Sequence, residues 1–168
     1  MTFEDYVAQR RDALFGFAVV LSGDPVLADD LVQNVLGRAF ERWAQVGSAT
    51  HVHAYVRRMI VNEYLSWRRR LRYSVPSDAI ADLLAESPDH AVRHAERLAM
   101  IAELDRLPRR QRAAVVLRYY ADLDDDEIAS TLGCRASTVR SHIARALATL
   151  RIELTPADAS ATTIPKDL

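Results

Sequence analysis

The 168-residue sequence contains one cysteine, five glycines and a single lysine, and these shortages exclude several classes of protein. One cysteine, Cys134, can form neither an internal disulfide nor a cysteine-based zinc cluster. Glycine is sparse, and the sequence contains no glycine-rich phosphate-binding loop. No apolar run approaches the ~20 residues of a membrane-spanning helix. The N-terminus shows no secretory signal, so we expect a cytoplasmic protein without membrane insertion.

The sequence also lacks a recognisable catalytic or metal-binding pattern. No nucleophile, base and orienting group occur in an arrangement typical of an enzyme, so we predict a non-enzymatic protein without a cofactor. His51 and His53 form one histidine pair and His90 and His94 another, but neither pair has an evident third ligand nearby. We therefore predict no metal site.

Charge is distributed unevenly along the chain, although the net charge is only −1. Residues 51–73 hold six arginines and one glutamate, giving +5, and residues 134–151 hold four arginines and no acid, giving +4. Residues 74–96 hold five acids and one arginine, giving −4. Local fields govern attraction to a polyanion. Two basic islands on a weakly acidic chain therefore predict DNA binding that is conditional.

Hydrophobic periodicity predicts an all-α protein made of two small helical domains joined by a flexible linker. In the first domain, over residues 1–73, three helices are predicted, with the approximate ranges 2–22, 25–43 and 53–72. Asp24 is typical of an N-cap and Pro25 of a first helical residue. The apolar stripe of the second helix continues to Phe40 and Trp43, which we expect in the core. Residues 46–52 form a predicted polar loop.

The second domain is predicted over residues 96–152. Residues 74–95, with two prolines and an acidic excess, form the predicted linker, and residues 153–168 form a predicted disordered tail. A first helix is expected from near Ala95 to a break at Leu107 and Pro108. Three more helices are predicted after that break, with the approximate ranges 111–120, 125–132 and 137–151.

The last two predicted helices form a helix-turn-helix. Gly133 supplies a turn residue that accepts a positive φ, and Ser137 or Thr138 can cap the next helix. One arc of that helix is apolar, and the opposite arc carries small alanines with Arg140, Ser141 and Arg145. These residues suit base edges and phosphates in a major groove. An ordinary amphipathic helix with solvated arginines is the alternative, but the turn, the capping residues and the acid-free face favour DNA binding.

An acidic run at residues 122–127 precedes this helix-turn-helix. Its carboxylates stabilise a helix N-terminus through the helix dipole. Because they would also repel phosphates, we expect the run to face away from bound DNA. Only the later helix of the helix-turn-helix would then contact the bases.

The basic helix at residues 53–72 is the candidate nucleic-acid surface of the first domain. Its arginines are interleaved with aromatic residues, a pattern suited to unpaired bases. Tyr64 and Trp67 fall in the apolar arc and are favoured as core. The residues outside that arc are better candidates for nucleic-acid contacts, and they are Arg58, Asn62 and Arg69.

Two long stretches, in this order, resemble the extracytoplasmic-function sigma factors, a family of bacterial transcription initiation factors. The family's second region is similar to DPVLADDLVQNVLGRAFERW, and its promoter-melting helix to HAYVRRMIVNEYLSWRRR. Its fourth region resembles LDRLPRRQRAAVVLRYYADLDDDEIASTLGCRASTVRSHIARALATLR. The resemblance covers residues 3–152, and the sequence of the matched stretches is similar to that of a subgroup common in high-GC actinobacteria.

This resemblance implies a region 2 helical domain and a region 4 helix-turn-helix domain that bind core RNA polymerase and promoter DNA. The implied polymerase-binding residues are Asp30, Gln33 and Asn34, although composition alone favours them as solvated surface. The implied contacts to the minus-ten element are Arg58, Asn62 and Arg69, and the loop at residues 46–52 would capture a flipped base. The implied contacts to the minus-thirty-five element are Ser137, Thr138, Arg140, Ser141 and Arg145.

The resemblance also implies regulation by an anti-sigma factor, although no residue of the sequence identifies such a partner. Some positions depart from the family pattern: Asn34 stands where an acid is usual, and Val61 where an arginine is common. The chief alternative is a stand-alone helix-turn-helix regulator. Such a protein would bind duplex DNA tightly without polymerase.

Overall fold

The structure of the chain is a computed structural model that describes residues 1–67 and 90–150. Every regular element in these ranges is an α-helix, which confirms the predicted fold class. The chain divides into two compact units, residues 1–99 and 100–168. Arg69, most of the predicted linker and the predicted disordered tail lie outside the described residues.

Eight helices are described, and the unit boundary falls within the fifth. The first four are α1 (Phe3–Ser22), α2 (Pro25–Glu41), α3 (Trp43–Val46) and α4 (Val52–Trp67). The others are α5 (His90–Asp105), α6 (Arg109–Tyr119), α7 (Asp125–Leu132) and α8 (Ala136–Leu150). Within these ranges, no helix is both long and apolar enough to cross a membrane.

The start of α2 follows the local signals in the sequence. Gly23 ends α1 with a left-handed φ of 76°. Asp24 Oδ1 then accepts a hydrogen bond from the Val26 amide at 2.9 Å, and Pro25 is the first helical residue. The backbone donors of a helix's first turn have no intrahelical acceptor, so the Asp24 side chain stabilises this end. The predicted start of α2 is confirmed.

The core of the N-terminal unit lies between α1, α2 and α4, which pack on one another. Its fully buried apolar side chains include Leu14, Phe17, Leu21, Leu31, Val35, Val56 and Ile60. Each such side chain contributes roughly 1.5–3 kcal/mol through burial. An ion pair adds a polar tie between α2 and α4: Arg38 Nη2 lies 2.7 Å from Oε2 of Glu63, whose side chain is only 4% exposed.

The expectation that α2 continues through Trp43 with Phe40 in the core is wrong. Arg42 has φ −121° and ψ 25°, which ends α2 at Glu41 and separates it from α3. Phe40 is 58% exposed, because the buried stripe of α2 passes through Ala39 and the next residue is rotated by about 100°. Trp43 is half-buried against the rings of Phe3 and Tyr6, both with centroids 5.3 Å away.

The predicted loop at residues 46–52 is shorter in the structure. Val46 is buried at the end of α3, and α4 already begins at Val52. Gly47 follows α3 closely: a Cβ there would lie 2.9 Å from the Trp43 carbonyl oxygen. The tight α3 turn therefore leaves only residues 47–51 outside helices.

The C-terminal unit builds its core where α6, α7 and α8 pack together. Its buried apolar side chains include Ile101, Leu104, Leu117, Ile128, Leu132, Val139 and Ala146. Arg112 is also buried, and its Nη1 donates to Asp105 Oδ1 of α5 at 2.8 Å. Gly133 ends α7 with φ 61°, the left-handed turn that the sequence predicted.

Four of the described helices begin earlier than predicted, and they are α4, α5, α6 and α8. α5 begins at His90 rather than near Ala95, two residues past Pro88, because no helix breaker follows that proline. α8 begins at Ala136, where the Thr138 and Val139 amides already bond to the Arg135 carbonyl oxygen. Ser137 and Thr138 therefore lie in the first turn of α8, and the prediction that one of them caps the helix is wrong.

Candidate functional surfaces

One continuous exposed stripe runs along α2. Its members follow a spacing of three or four residues, so they share one helix face: Val26, Asp30, Gln33, Gly37 and Phe40. Asn34, four residues after Asp30, is exposed beside it. All three residues that the resemblance assigned to polymerase binding thus lie on one accessible face. We name the five residues of the stripe plus Asn34 the α2 face.

The chemistry of the α2 face suits a protein partner. Val26 is 59% and Phe40 58% exposed, so a large apolar side chain stands at each end. The centre carries amide groups and one carboxylate, with no arginine or lysine. A Cβ on Gly37 would meet no atom of the chain within 4 Å, so a partner backbone can approach closely there. Apolar anchors around adaptable polar groups are typical of interfaces with protein.

Two of the predicted minus-ten residues share an exposed face of α4. Arg58 and Asn62 are four residues apart and both are exposed. Arg69, the third, lies outside the described residues. Tyr64 is buried at 3% exposure, which confirms it as core. Val61 is fully buried as well. The valine that stands where the family commonly has an arginine therefore removes no exposed charge beside Asn62.

A groove of about 550 Å³ adjoins this face between α2, α3 and α4. Its lining includes Asn62 together with Tyr55, which is 41% exposed. Arg38 and Glu63, the ion pair that joins α2 to α4, also line it. The groove therefore combines an amide, an aromatic ring and a fixed charge pair, none of which the sequence alone places together.

The predicted recognition helix is α8, and its outer face is open. The predicted DNA-binding residues Ser137, Thr138, Arg140, Ser141 and Arg145 are all exposed. Val139 and Ala146 on the opposite side are buried against the other helices. The Ser141 hydroxyl donates to the Ser137 carbonyl oxygen at 3.0 Å. The helix thus presents the polar arc that the sequence predicted.

Asp125, at the start of α7, does not fit the expectation for the acidic run. Its Oδ2 lies 3.1 Å from Nη1 of Arg140, and its Oδ1 contacts Nη2 of Arg118 on α6. One carboxylate therefore links α6, α7 and α8. The expectation that the whole run faces away from the DNA-binding face is wrong for Asp125, because it neutralises an arginine of that face.

The described histidines show no arrangement for a metal. No group of three or more ligand side chains in residues 1–67 and 90–150 could hold an ion. His53 Nδ1 instead lies 3.2 Å from the Tyr6 hydroxyl. Burial, together with the nearby charges of Arg57 and Arg10, lowers the pKa of His53 to about 4. Burial also lowers the pKa of His142 on α8, with Arg110 and Arg145 nearby.

Comparison with known proteins identifies the class of the chain. The model of Sigma-70 region 2 matches residues 6–73, and that of Sigma-70 region 4 matches residues 97–150. The region 2 match includes the α2 face and α4, and the region 4 match includes α8. The fold and its surfaces therefore define a two-region transcription initiation factor of the Sigma-70 type, a class whose members are not enzymes in general.

Individual relatives show which family within this class the chain belongs to. The RNA polymerase sigma-E factor of Streptomyces coelicolor is 38% identical over 99% of this chain and 94% of its own. The ECF RNA polymerase sigma factor SigE of Mycolicibacterium smegmatis is 33% identical over 89% of this chain and 60% of its own. The sigma factor RpoE, solved in complex with the anti-sigma factor NepR from Bartonella quintana, is 25% identical with a TM-score of 0.69, over 89% of this chain and 94% of that one. The chain belongs to the ECF RNA polymerase sigma factors.

Proposed function

We propose that this sigma factor binds core RNA polymerase through the α2 face and promoter DNA through α4 and α8. The observation that carries the proposal is the exposure of every described residue in the predicted sets, on one helix face for each set. The α2 face also differs in chemistry from the other two faces. The α2 face is apolar and amide-rich, whereas the α4 and α8 faces carry arginine.

The α2 face would dock on the largest subunit of the polymerase. Gln33 and Asn34 offer donors and acceptors at its centre, and Val26 and Phe40 supply apolar contacts at its ends. Residues at the centre of an interface carry most of its binding free energy, because surrounding contacts exclude water from them. Gln33 is therefore the residue whose loss should weaken docking without altering the fold.

The exposed face of α4 would hold the minus-ten element, with Arg58 on the backbone, Asn62 on a base and Arg69 as a further contact. Asn62 can bond bidentately to adenine. The neighbouring groove would receive a flipped base, and Tyr55 could stack on it. Stacking contributes about 1–3 kcal/mol per base, which would stabilise an open bubble without nucleotide hydrolysis. We propose accordingly that the chain has no catalytic activity of its own.

The outer face of α8 would enter the major groove of the minus-thirty-five element. The DNA contacts proposed there are Ser137, Thr138, Arg140, Ser141 and Arg145. When polymerase fixes both units of the sigma factor, the second DNA contact becomes effectively intramolecular. Two weak DNA-binding faces would then act together only in the holoenzyme, in the cytoplasm, where polymerase works.

Regulation by an anti-sigma factor is a further part of the proposal. The solved sigma factor RpoE of Bartonella quintana is bound to the anti-sigma factor NepR. An inhibitor that blocks the proposed polymerase docking would cover the α2 face, whose apolar residues are exposed. Val26 and Phe40 are therefore the expected contacts of such a partner.

The proposal is tested by size-exclusion chromatography of the purified chain with core RNA polymerase. We expect co-elution that weakens in Gln33→Ala and persists in a double variant, Arg140→Ala with Arg145→Ala. The double variant serves as the matched control, because it alters only the DNA face. No co-elution, together with tight duplex binding by the free chain, would instead establish the stand-alone regulator.

A further inference from the structure

The two exposed arginines of α8 differ in their surroundings. Arg140, with a side chain 63% exposed, makes an ion pair with Asp125 at 3.1 Å. Arg145 makes no ion pair with any residue in the part of the chain that the structure describes. One arginine of the recognition helix is thus held by a carboxylate, and the other extends into solvent.

The carboxylate of Asp125 is itself held in place. Its side chain is only 26% exposed, and Arg118 of α6 contacts the oxygen that Arg140 does not use. Asp125 is also the first residue of α7, where the helix dipole favours a negative charge. A capping box between Asp124 and Glu127 fixes this helix end. Asp125 therefore offers Arg140 a partner with little freedom to move.

We propose that Asp125 is a specificity-determining positioning residue that directs Arg140 toward a guanine. A guanidinium carries five donors, and the contact with Asp125 engages only Nη1. The edge formed by Nε and Nη2 stays available for the O6 and N7 acceptors of guanine, a bidentate contact that discriminates among bases. This inference rests on the proposed role of α8 in reading the minus-thirty-five element.

The carboxylate of Asp125 also disfavours a contact between Arg140 and a DNA phosphate. A negative charge beside Arg140 repels the DNA backbone, so Arg140 gains little from a phosphate contact at any sequence. A neutral base edge carries no such penalty. Arg145, without a carboxylate partner among the described residues, is suited to phosphate instead. The two arginines thus divide the work, with Arg140 selecting sequence and Arg145 supplying affinity.

The test uses the full chain assembled with core polymerase and a duplex library randomised over the upstream promoter element. We expect the unchanged holoenzyme to select guanine strongly at one position. In Asp125→Asn this preference should fall roughly ten-fold, as for the loss of a good bidentate contact. The free chain should also bind random-sequence duplex more tightly, with a salt slope steeper by about 0.9, because one arginine is no longer neutralised.

Matched variants separate positioning from charge and from folding. Asp126→Asn removes the same charge one residue away, from a side chain with no ion pair among the described residues, and should leave base selection unchanged. Arg140→Lys should weaken the preference, because a lysine ammonium lacks the planar guanidinium edge that Asp125 would orient. Arg145→Ala should weaken binding to all sequences alike. A melting temperature within a few degrees of the unchanged protein shows that each variant is folded.

The outcomes distinguish this inference from the function on which it rests. If Arg140→Ala alters selection but Asp125→Asn gives the same base preference and salt slope as Asp126→Asn, Asp125 has no positioning role and the inference is overturned. If Arg140→Ala itself leaves selection unchanged, the proposed reading of the minus-thirty-five element by Arg140 fails first. Loss of preference in Asp125→Asn and not in Asp126→Asn supports the inference.

Discussion

The α2 face and the outer face of α8 are built on the same helical spacing but present opposite chemistry. The α2 face exposes Val26 and Phe40 around amides and carries no cation. The α8 face exposes arginines and serines around small alanines and carries no acid. The named residues of both faces are exposed in the described part of the chain, yet the two faces differ in what can bind them.

This difference indicates how one small protein can serve two kinds of partner. Apolar contacts depend on buried area and respond little to salt. Arginine contacts to phosphate depend on counterion release and weaken steeply as salt rises. The proposed docking of polymerase on the α2 face should therefore persist at salt concentrations that abolish DNA binding by the free chain.

The largest effect is expected from Phe40→Ala. Loss of an exposed aromatic anchor should reduce polymerase affinity by about 2 kcal/mol, roughly 30-fold. Because the contribution is apolar, the loss should be equal at low and high salt. Fluorescence anisotropy of the labelled chain, titrated with core polymerase, measures it.

Phe40→Leu is the control, since it retains an apolar side chain and should lose much less. The melting temperature must also be recorded, because the Phe40 ring lies 5.1 Å from that of Phe3. Unchanged polymerase affinity in a folded Phe40→Ala protein would place the docking surface elsewhere.

Gly37→Ala is expected to have two smaller effects, a gain in folding stability and a loss of polymerase affinity. Alanine in the middle of α2 should stabilise the fold by about 0.5–1 kcal/mol, because its Cβ meets no atom of the chain within 4 Å. The same methyl group should cost about 1 kcal/mol of polymerase binding if a partner backbone packs there. Denaturant unfolding and the anisotropy titration measure the two quantities; a gain in both would show that no partner approaches Gly37.

A separate effect, on folding stability rather than on binding, is expected at acid pH from a histidine of the N-terminal unit. The folded chain holds the pKa of His53 near 4, against 6.5 for the unfolded side chain. Between these pH values the unfolded state binds the additional proton, so stability should fall as pH drops from about 6.5 to about 4. Thermal unfolding across this range measures the loss.

His53→Gln should flatten this pH dependence, while His142→Gln is the matched variant in the C-terminal unit. The pKa of His142 is also lowered by burial, so its variant should change the slope in the same direction. An identical slope in His53→Gln and the unchanged protein would show that His53 does not titrate as its burial requires.

Local signals predicted the start of α2 and the end of α7, but they did not predict every other helix boundary or the packing. Asp24, Pro25 and Gly133 act within one turn of the chain, so their roles could be predicted from sequence. Phe40 was expected in the core because hydrophobic periodicity does not give the width of the buried stripe. Ala39, one residue earlier, marks its limit in the structure.

Charge pairs over longer distances explain the remaining differences. Glu63 is buried because Arg38, 25 residues earlier, supplies its counter-charge. Asp125 meets Arg140 because α7 and α8 pack together, and 15 residues separate the two in sequence. The residues that sequence patterns predicted as contacts on α2, α4 and α8 are exposed wherever they are described, but which charges neutralise each other depends on tertiary packing.

The link between Arg118, Asp125 and Arg140 has a consequence for protein engineering. Transplanting α8 alone into another sigma factor would transfer Arg140 without the carboxylate and second arginine that surround it. The smallest portable segment that preserves this environment runs from α6 through α8, residues 109–150. Chimeras that exchange promoter preference should therefore be joined before Arg109 rather than at the Gly133 turn.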